Sequence, residues 1–169
     1  SMAQTDKKVL LLECDLRKPK IHKYFGVEND KGLTDVIVNN MEYEAVTRKI
    51  DQIKNLYVIT CGPIPPNPAE ILESAKMNDL INRLKDSFDM VILDSPPVSE
   101  LTDAAIVSKN ADGVILVIAS GESNIDMARH AKSALENVKA RVLGVVLTKL
   151  DRSSGSYHYY RYRNYYYYR

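Results

Sequence analysis

Five apolar runs constrain this chain more than any other feature: residues 9–12, 56–59, 90–93, 113–119 and 142–147. None alternates polar with apolar residues, so each reads as a strand buried on both faces, as in a parallel sheet. Helical patterns lie between them. Pro65-Pro66-Asn67-Pro68 delivers the chain into one long helix over Ala69 to Ser87, with Asn67 as cap and Ile71, Leu72, Ala75, Leu80, Ile81 and Leu84 as its buried stripe. Thr102 starts a helix running to Ala111, and Asn124 to Lys139 forms another. Thr34 or Asp35 caps a short helix to Asn40, residues 18–32 read as a loop, and residues 44–54 fit no single pattern. Strands alternating with helices imply βαβ units, hence one α/β domain around a parallel sheet.

Two of the runs end in carboxylates. Val9-Leu10-Leu11-Leu12 leads into Glu13-Cys14-Asp15-Leu16-Arg17, and Val91-Ile92-Leu93 leads into Asp94-Ser95-Pro96-Pro97. If the first strand continues, its period of two puts Glu13 and Asp15 on one face. The carboxyl ends of strands are where open α/β sheets bind ligands, and two acids with Arg17 there suit a metal–phosphate site. Every strand has a polar end, so a single such end carries little weight. Two in one chain, both able to face one crevice, carry more.

Bulk properties narrow the class. The 169 residues are enough for one domain with a real core, and the net charge of +1 gives no field for nucleic acid or an anionic membrane. No stretch approaches the roughly 18 apolar residues of a membrane span. Cys14 and Cys61 sit in or beside strand-like runs, as small buried hydrophobes of a reducing compartment. Ser1-Met2 has the form of a cloning remnant before a start codon, which leads us to expect a piece of a longer protein.

The body is expected to end near residue 152, followed by a Ser/Gly linker and a tail. Eight of the 11 tyrosines fall in the last 13 residues: Tyr157, Tyr159, Tyr160, Tyr162, Tyr165, Tyr166, Tyr167 and Tyr168. That tail also carries Arg161, Arg163 and Arg169 and no acid; the remaining residues hold 20 basic and 22 acidic side chains. Nothing in it divides buried from exposed faces, so disorder is expected. A tethered set of phenols suits tyrosine phosphorylation. Stacking on single-stranded nucleic acid, or a low-complexity segment prone to aggregate, fits the composition as well.

Together these motifs resemble the bacterial tyrosine kinases of capsule and exopolysaccharide synthesis, the cytoplasmic kinase domain of the polysaccharide co-polymerases. Leu10 to Arg17 resembles their Walker A′ motif, Val91 to Pro96 their Walker B, Pro65 to Leu72 their proline-rich helix entry, and the tyrosine cluster their C-terminal tail. The resemblance implies a three-layer P-loop NTPase-like fold of the deviant Walker type and a kinase domain over residues 1–152. It implies ATP and Mg²⁺ as cofactors, with Asp15 and Asp94 organising the metal, through water in part. It gives catalytic roles to Glu13, Asp15, Arg17 and Asp94, with Glu13 or Asp15 taking the phenolic proton. It implies phosphorylation of the eight tail tyrosines in trans within a homo-oligomeric ring. A cognate tyrosine phosphatase, a periplasmic and membrane co-polymerase region, attachment to the inner membrane and no nucleic-acid partner follow from the same source.

Two departures stand out. Glu13 occupies a position where the family has Asp, so the charge is kept but reaches one methylene further. No G-x-x-x-x-G-K-[ST] occurs, and the seven glycines are isolated. The expectation is therefore a domain without its first strand, P-loop and first helix, inactive by itself. Two other readings compete. Thr148-Lys149-Leu150-Asp151 fits the [NT]-K-x-D signature of guanine recognition, as in a related GTPase or ATPase. A non-catalytic adaptor domain with a phosphorylatable tail is the other.

Overall fold

The structure, a computed structural model, describes residues 6–98 and 102–150. Strand β1 (Val9–Glu13) lies between β3 (Leu56–Ile59) and β4 (Met90–Asp94), parallel to both. Its side chains alternate between two separately packed cores. Leu10 and Leu12 join Ile59 and the helices α2 (Leu33–Val38), α3 (Pro68–Glu73) and α4 (Ala75–Ser87). Leu11 points the other way and packs with Val58, Ile50 and Ile21 of helix α1 (Ile21–Phe25). Burial on both faces is why this run shows no alternation in sequence.

The short strand β2 (Arg48–Lys49) pairs antiparallel with β3, so the sheet is mixed and not wholly parallel as expected. Residues 18–32 hold helix α1, which Gly26 ends in the left-handed conformation at φ 64°. The expected single helix over 69–87 is two. The chain leaves helical geometry at Ser74 (ψ 152°), whose hydroxyl donates back to the Ile71 carbonyl at 2.7 Å and accepts the Met77 N–H of the next helix at 3.2 Å. Serine competes well for main-chain partners, and here it closes one helix and caps the next.

Helix α5 (Asp103–Ser108) packs on α3, and β5 (Val114–Ala119) pairs in parallel with β6 (Val142–Thr148); α6 (Ile125–Asn137), which Asn124 caps through the Met127 N–H, packs on α5. The sheet, expected to lack its first strand, is found in two pieces among the described residues. The strand order is β2-β3-β1-β4 in one sheet and β5-β6 in another, with no hydrogen bonds between β4 and β5 among the described residues. These runs look buried in sequence yet are open to solvent. Ile92, Ile115, Val117, Leu143, Val145 and Val146 are all exposed. Among the described residues no helix is long and apolar enough to cross a membrane.

Candidate functional site

The register of β1 against β4 sets the site. Glu13 lies opposite Asp94, and the Cys14 N–H donates to the Asp94 carbonyl at 2.7 Å, so both acidic strand ends stop at the same level. Asp15 follows two residues after Glu13. Its Oδ1 accepts the Arg17 and Lys18 N–H groups at 3.2 and 3.0 Å, which pins the loop. Its Oδ2 has no hydrogen-bond partner among the described residues. The Asp94 carboxyl is raised above the ordinary carboxylate range, first by partial burial and then by the charges of Glu13 and Asp15. The strand tips thus hold an excess of negative charge.

Glu13 is placed differently from the other two. It is fully buried, and both of its oxygens are engaged. Oε1 accepts the Lys20 and Ile21 N–H groups at 2.5 and 2.8 Å, where α1 begins, and Oε2 accepts the Cys61 N–H at 3.0 Å, just beyond β3. One side chain therefore ties three segments together. Arg17 is engaged as well. Its Nε and Nη2 grip the Asp103 carboxylate at 2.6 and 3.1 Å, and Asp103 is fully buried at the start of α5. The hydrogen bond to Asp103 holds the guanidinium charged, its pKa raised further.

Asp103, 86 positions from Arg17, carries no signal of this pairing in the sequence. Only an acid at the start of a helix marked it, and helix starts commonly carry one. Nor did the sequence show the crossing beside Glu13. There a Cβ on Gly32 would fall on the Thr60 carbonyl and the Gly62 N–H, and Gly62 sits at φ 76°. That contact lets α2 start directly on the end of β3, with Leu33 and Thr34 donating to the Thr60 and Cys61 carbonyls at 2.8 and 2.9 Å.

Cys14 and Cys61 are buried, unpaired thiols. Burial pushes the Cys61 thiol up to about 11, with the Thr34 hydroxyl opposing, and raises Cys14 further. Among the described residues no three His, Cys, Asp or Glu side chains converge as a metal cage. Two oxygen-donor carboxylates at one edge still fit Mg²⁺, which keeps several waters and takes only one or two carboxylates plus substrate phosphates. Lys149, in the guanine-recognition reading, is paired with Glu122 at 2.6 Å, and Asp151 lies outside the described residues. So do the domain boundary near 152 and all eight tail tyrosines.

No protein-family model matches the chain. It is 44% identical over 160 residues to tyrosine-protein kinase YwqD of Bacillus subtilis, covering 94% of this chain and 67% of that protein. To the putative tyrosine-protein kinase CapB of Staphylococcus aureus it is 35% identical over 160 residues, covering 94% of this chain and 70% of that one. The kinase domain of Escherichia coli tyrosine kinase ETK superposes with a TM-score of 0.85 at 32% identity, over 90% of this chain and 60% of that structure's chain. With relatives at this level of identity and coverage, the chain belongs to the bacterial tyrosine-protein kinases.

Proposed function

We propose that this chain forms the Mg²⁺-binding and phenol-activating half of an ATP-dependent kinase that phosphorylates its own tyrosine tail. The carrying observation is the in-register meeting of the β1 and β4 tips at Glu13 and Asp94, with the Asp15 charge near enough to act on the Asp94 carboxyl. Asp15 and Asp94 would hold Mg²⁺, partly through water. Bound MgATP supplies the phosphoryl group and the charge neutralisation for its transfer. Asp15 keeps an unengaged oxygen to take the phenolic proton, since a phenol near pKa 10 is a poor nucleophile until it is deprotonated. Glu13, with both oxygens donated to, orients the loop that carries Asp15. Arg17, held by Asp103, fixes the following turn.

The 169 residues include no P-loop, so main-chain amides and a lysine for the β- and γ-phosphates come from elsewhere. Edges of β4 and β5 that pair with no further strand among the described residues, and the exposed Ile92, Ile115 and Val117, support insertion of a further parallel strand there. In the intact protein the tail of one subunit would enter the site of the next, drawn by its three arginines toward the acidic strand ends. Capsule or exopolysaccharide export is the process such a kinase would regulate, at the cytoplasmic face of the inner membrane, with a phosphatase to reverse it and a co-polymerase region to receive the signal. Phosphotyrosine mapping of the P-loop-containing protein after incubation with MgATP tests the reading. Tail phosphorylation abolished by Asp94→Asn supports it, and tail phosphorylation unaffected by that change removes the site from the reaction.

A further inference from the structure

Beside the acidic strand ends lies a surface of opposite sign. An open cavity of about 480 Å³ is lined by Lys18, Lys20, Lys23 and His22, with Pro19 and Ile64 as its apolar wall. Among the described residues no acidic side chain lines it; Arg17, at its edge, is committed to Asp103. Lys18, Lys20 and Lys23 make no ion pair among the described residues, and all three are exposed. The half-buried His22 ring has its Nδ1 shielded from solvent and without a hydrogen-bond partner among the described residues. Ile64 is 62% exposed, an aliphatic side chain with nothing packed over it among the described residues. The four basic side chains come from six consecutive positions. Glu13 gathers them by fixing the Lys20 and Ile21 N–H groups at the start of α1.

We propose that this cavity is a docking site for phosphotyrosine on the chain's own tail. The chemistry asks for a dianion with an apolar stem. Lysine ammonium groups and an imidazole donor suit the phosphate oxygens, and Pro19 and Ile64 suit the face of a phenyl ring. The charge of the tail decides when it binds. Unphosphorylated, the tail carries Arg161, Arg163 and Arg169 and no acid, so this basic cavity repels it while the acidic strand ends attract it. Three phosphotyrosines would bring its side-chain charge from positive to about −2 and reverse both preferences. The product segment would then leave the acidic edge for the adjacent basic cavity, clearing the site for another tyrosine. The inference rests on the tail being the phosphorylated segment, but its test supplies the phosphate by synthesis and requires no kinase turnover.

The test is a fluorescence-anisotropy titration of the full chain, its own tail unphosphorylated, with a labelled synthetic peptide of residues 157–169. The peptide is made with and without phosphate on Tyr165, Tyr166 and Tyr167. The phosphorylated form is expected to bind tighter by about tenfold or more, and Lys20→Glu with Lys23→Glu to remove that advantage. Lys132→Glu on α6, outside the cavity, is expected to leave it in place. Equal binding of the two peptides overturns the proposal, and that comparison needs no variant to fold. An equal loss with Lys132→Glu also overturns it, as general charge attraction. Either failure leaves the kinase reading standing, since ATP-dependent tail phosphorylation is measured separately.

Discussion

Glu13 holds three main-chain N–H groups from the loop after Pro19 and from the end of β3, with no access to water. Replacing it by Ala would strand all three donors and is expected to cost about 3–5 kcal/mol. Asp, one methylene shorter, falls short of at least one donor and is expected to cost about 1–3 kcal/mol in urea unfolding. The extra methylene that departs from the family pattern thus has a structural use here. Asp94 works in the opposite sense. Its raised carboxyl pKa marks a charge held against burial and two like charges, so it favours the folded state only while protonated. That contribution fades as pH rises through its folded value. Asp94→Asn should therefore raise the melting temperature at neutral pH, by about 2 °C, while abolishing phosphotransfer. The buried thiols follow the same sign. The neutral form of Cys61, with its pKa pushed up to about 11, contributes its full share below the ordinary thiol range. That share is lost as pH climbs from roughly 8.5 toward 11. Both cysteines should resist alkylation by iodoacetamide at pH 8 in the native protein and react once it is unfolded.

At the scale of elements, Ser74 shows what periodicity can and cannot reveal. Ile71, Leu72, Leu80, Ile81 and Leu84 do line the core, but Ala75, expected beside them, is exposed, and Met77 is fully buried in its stead. The break at Ser74 restarts the helix and so shifts which positions face inward; it depends on hydroxyl contacts, so no spacing announced it. Ser74→Ala removes the cap of α4 and should destabilise by about 1 kcal/mol; Leu72→Ala, fully buried in the main core, by about 2–5 kcal/mol. Thermal or urea unfolding separates the two. Strand β1 was legible because burial on both faces leaves an unbroken apolar run, and its acidic end gained weight only because a second apolar run, β4, also ends in a carboxylate, Asp94. Asp103 and the Gly32–Gly62 crossing were not legible. Both are contacts between distant segments with ordinary residues at each end. Helix α1 was hidden because five residues carry too little periodicity to stand out from a loop.

For the molecule as a whole, the apolar runs of β5 and β6 pointed to strands of a parallel sheet lacking its first strand, and their side chains lie exposed in a two-stranded sheet of their own among the described residues. Sequence reports what a strand is suited to bury, not whether the burying partner lies within the same 169 residues. An additional strand between β4 and β5 would cover Ile92, Ile115 and Val117 and bring phosphate-binding amides beside Asp15 and Asp94. The 169 residues alone should accordingly show no ATP-dependent phosphorylation. The central claim is that the Asp15–Asp94 edge drives phosphorylation of the tyrosine tail, and mass-spectrometric phosphotyrosine counting tests it most directly. The P-loop-containing protein and its Asp15→Asn and Asp94→Asn variants, each shown to be folded, are compared after incubation with MgATP. The account predicts several phosphates on Tyr157 to Tyr168 in the parent and a loss of at least about a hundredfold in each variant. Undiminished tail phosphorylation in both variants would contradict it.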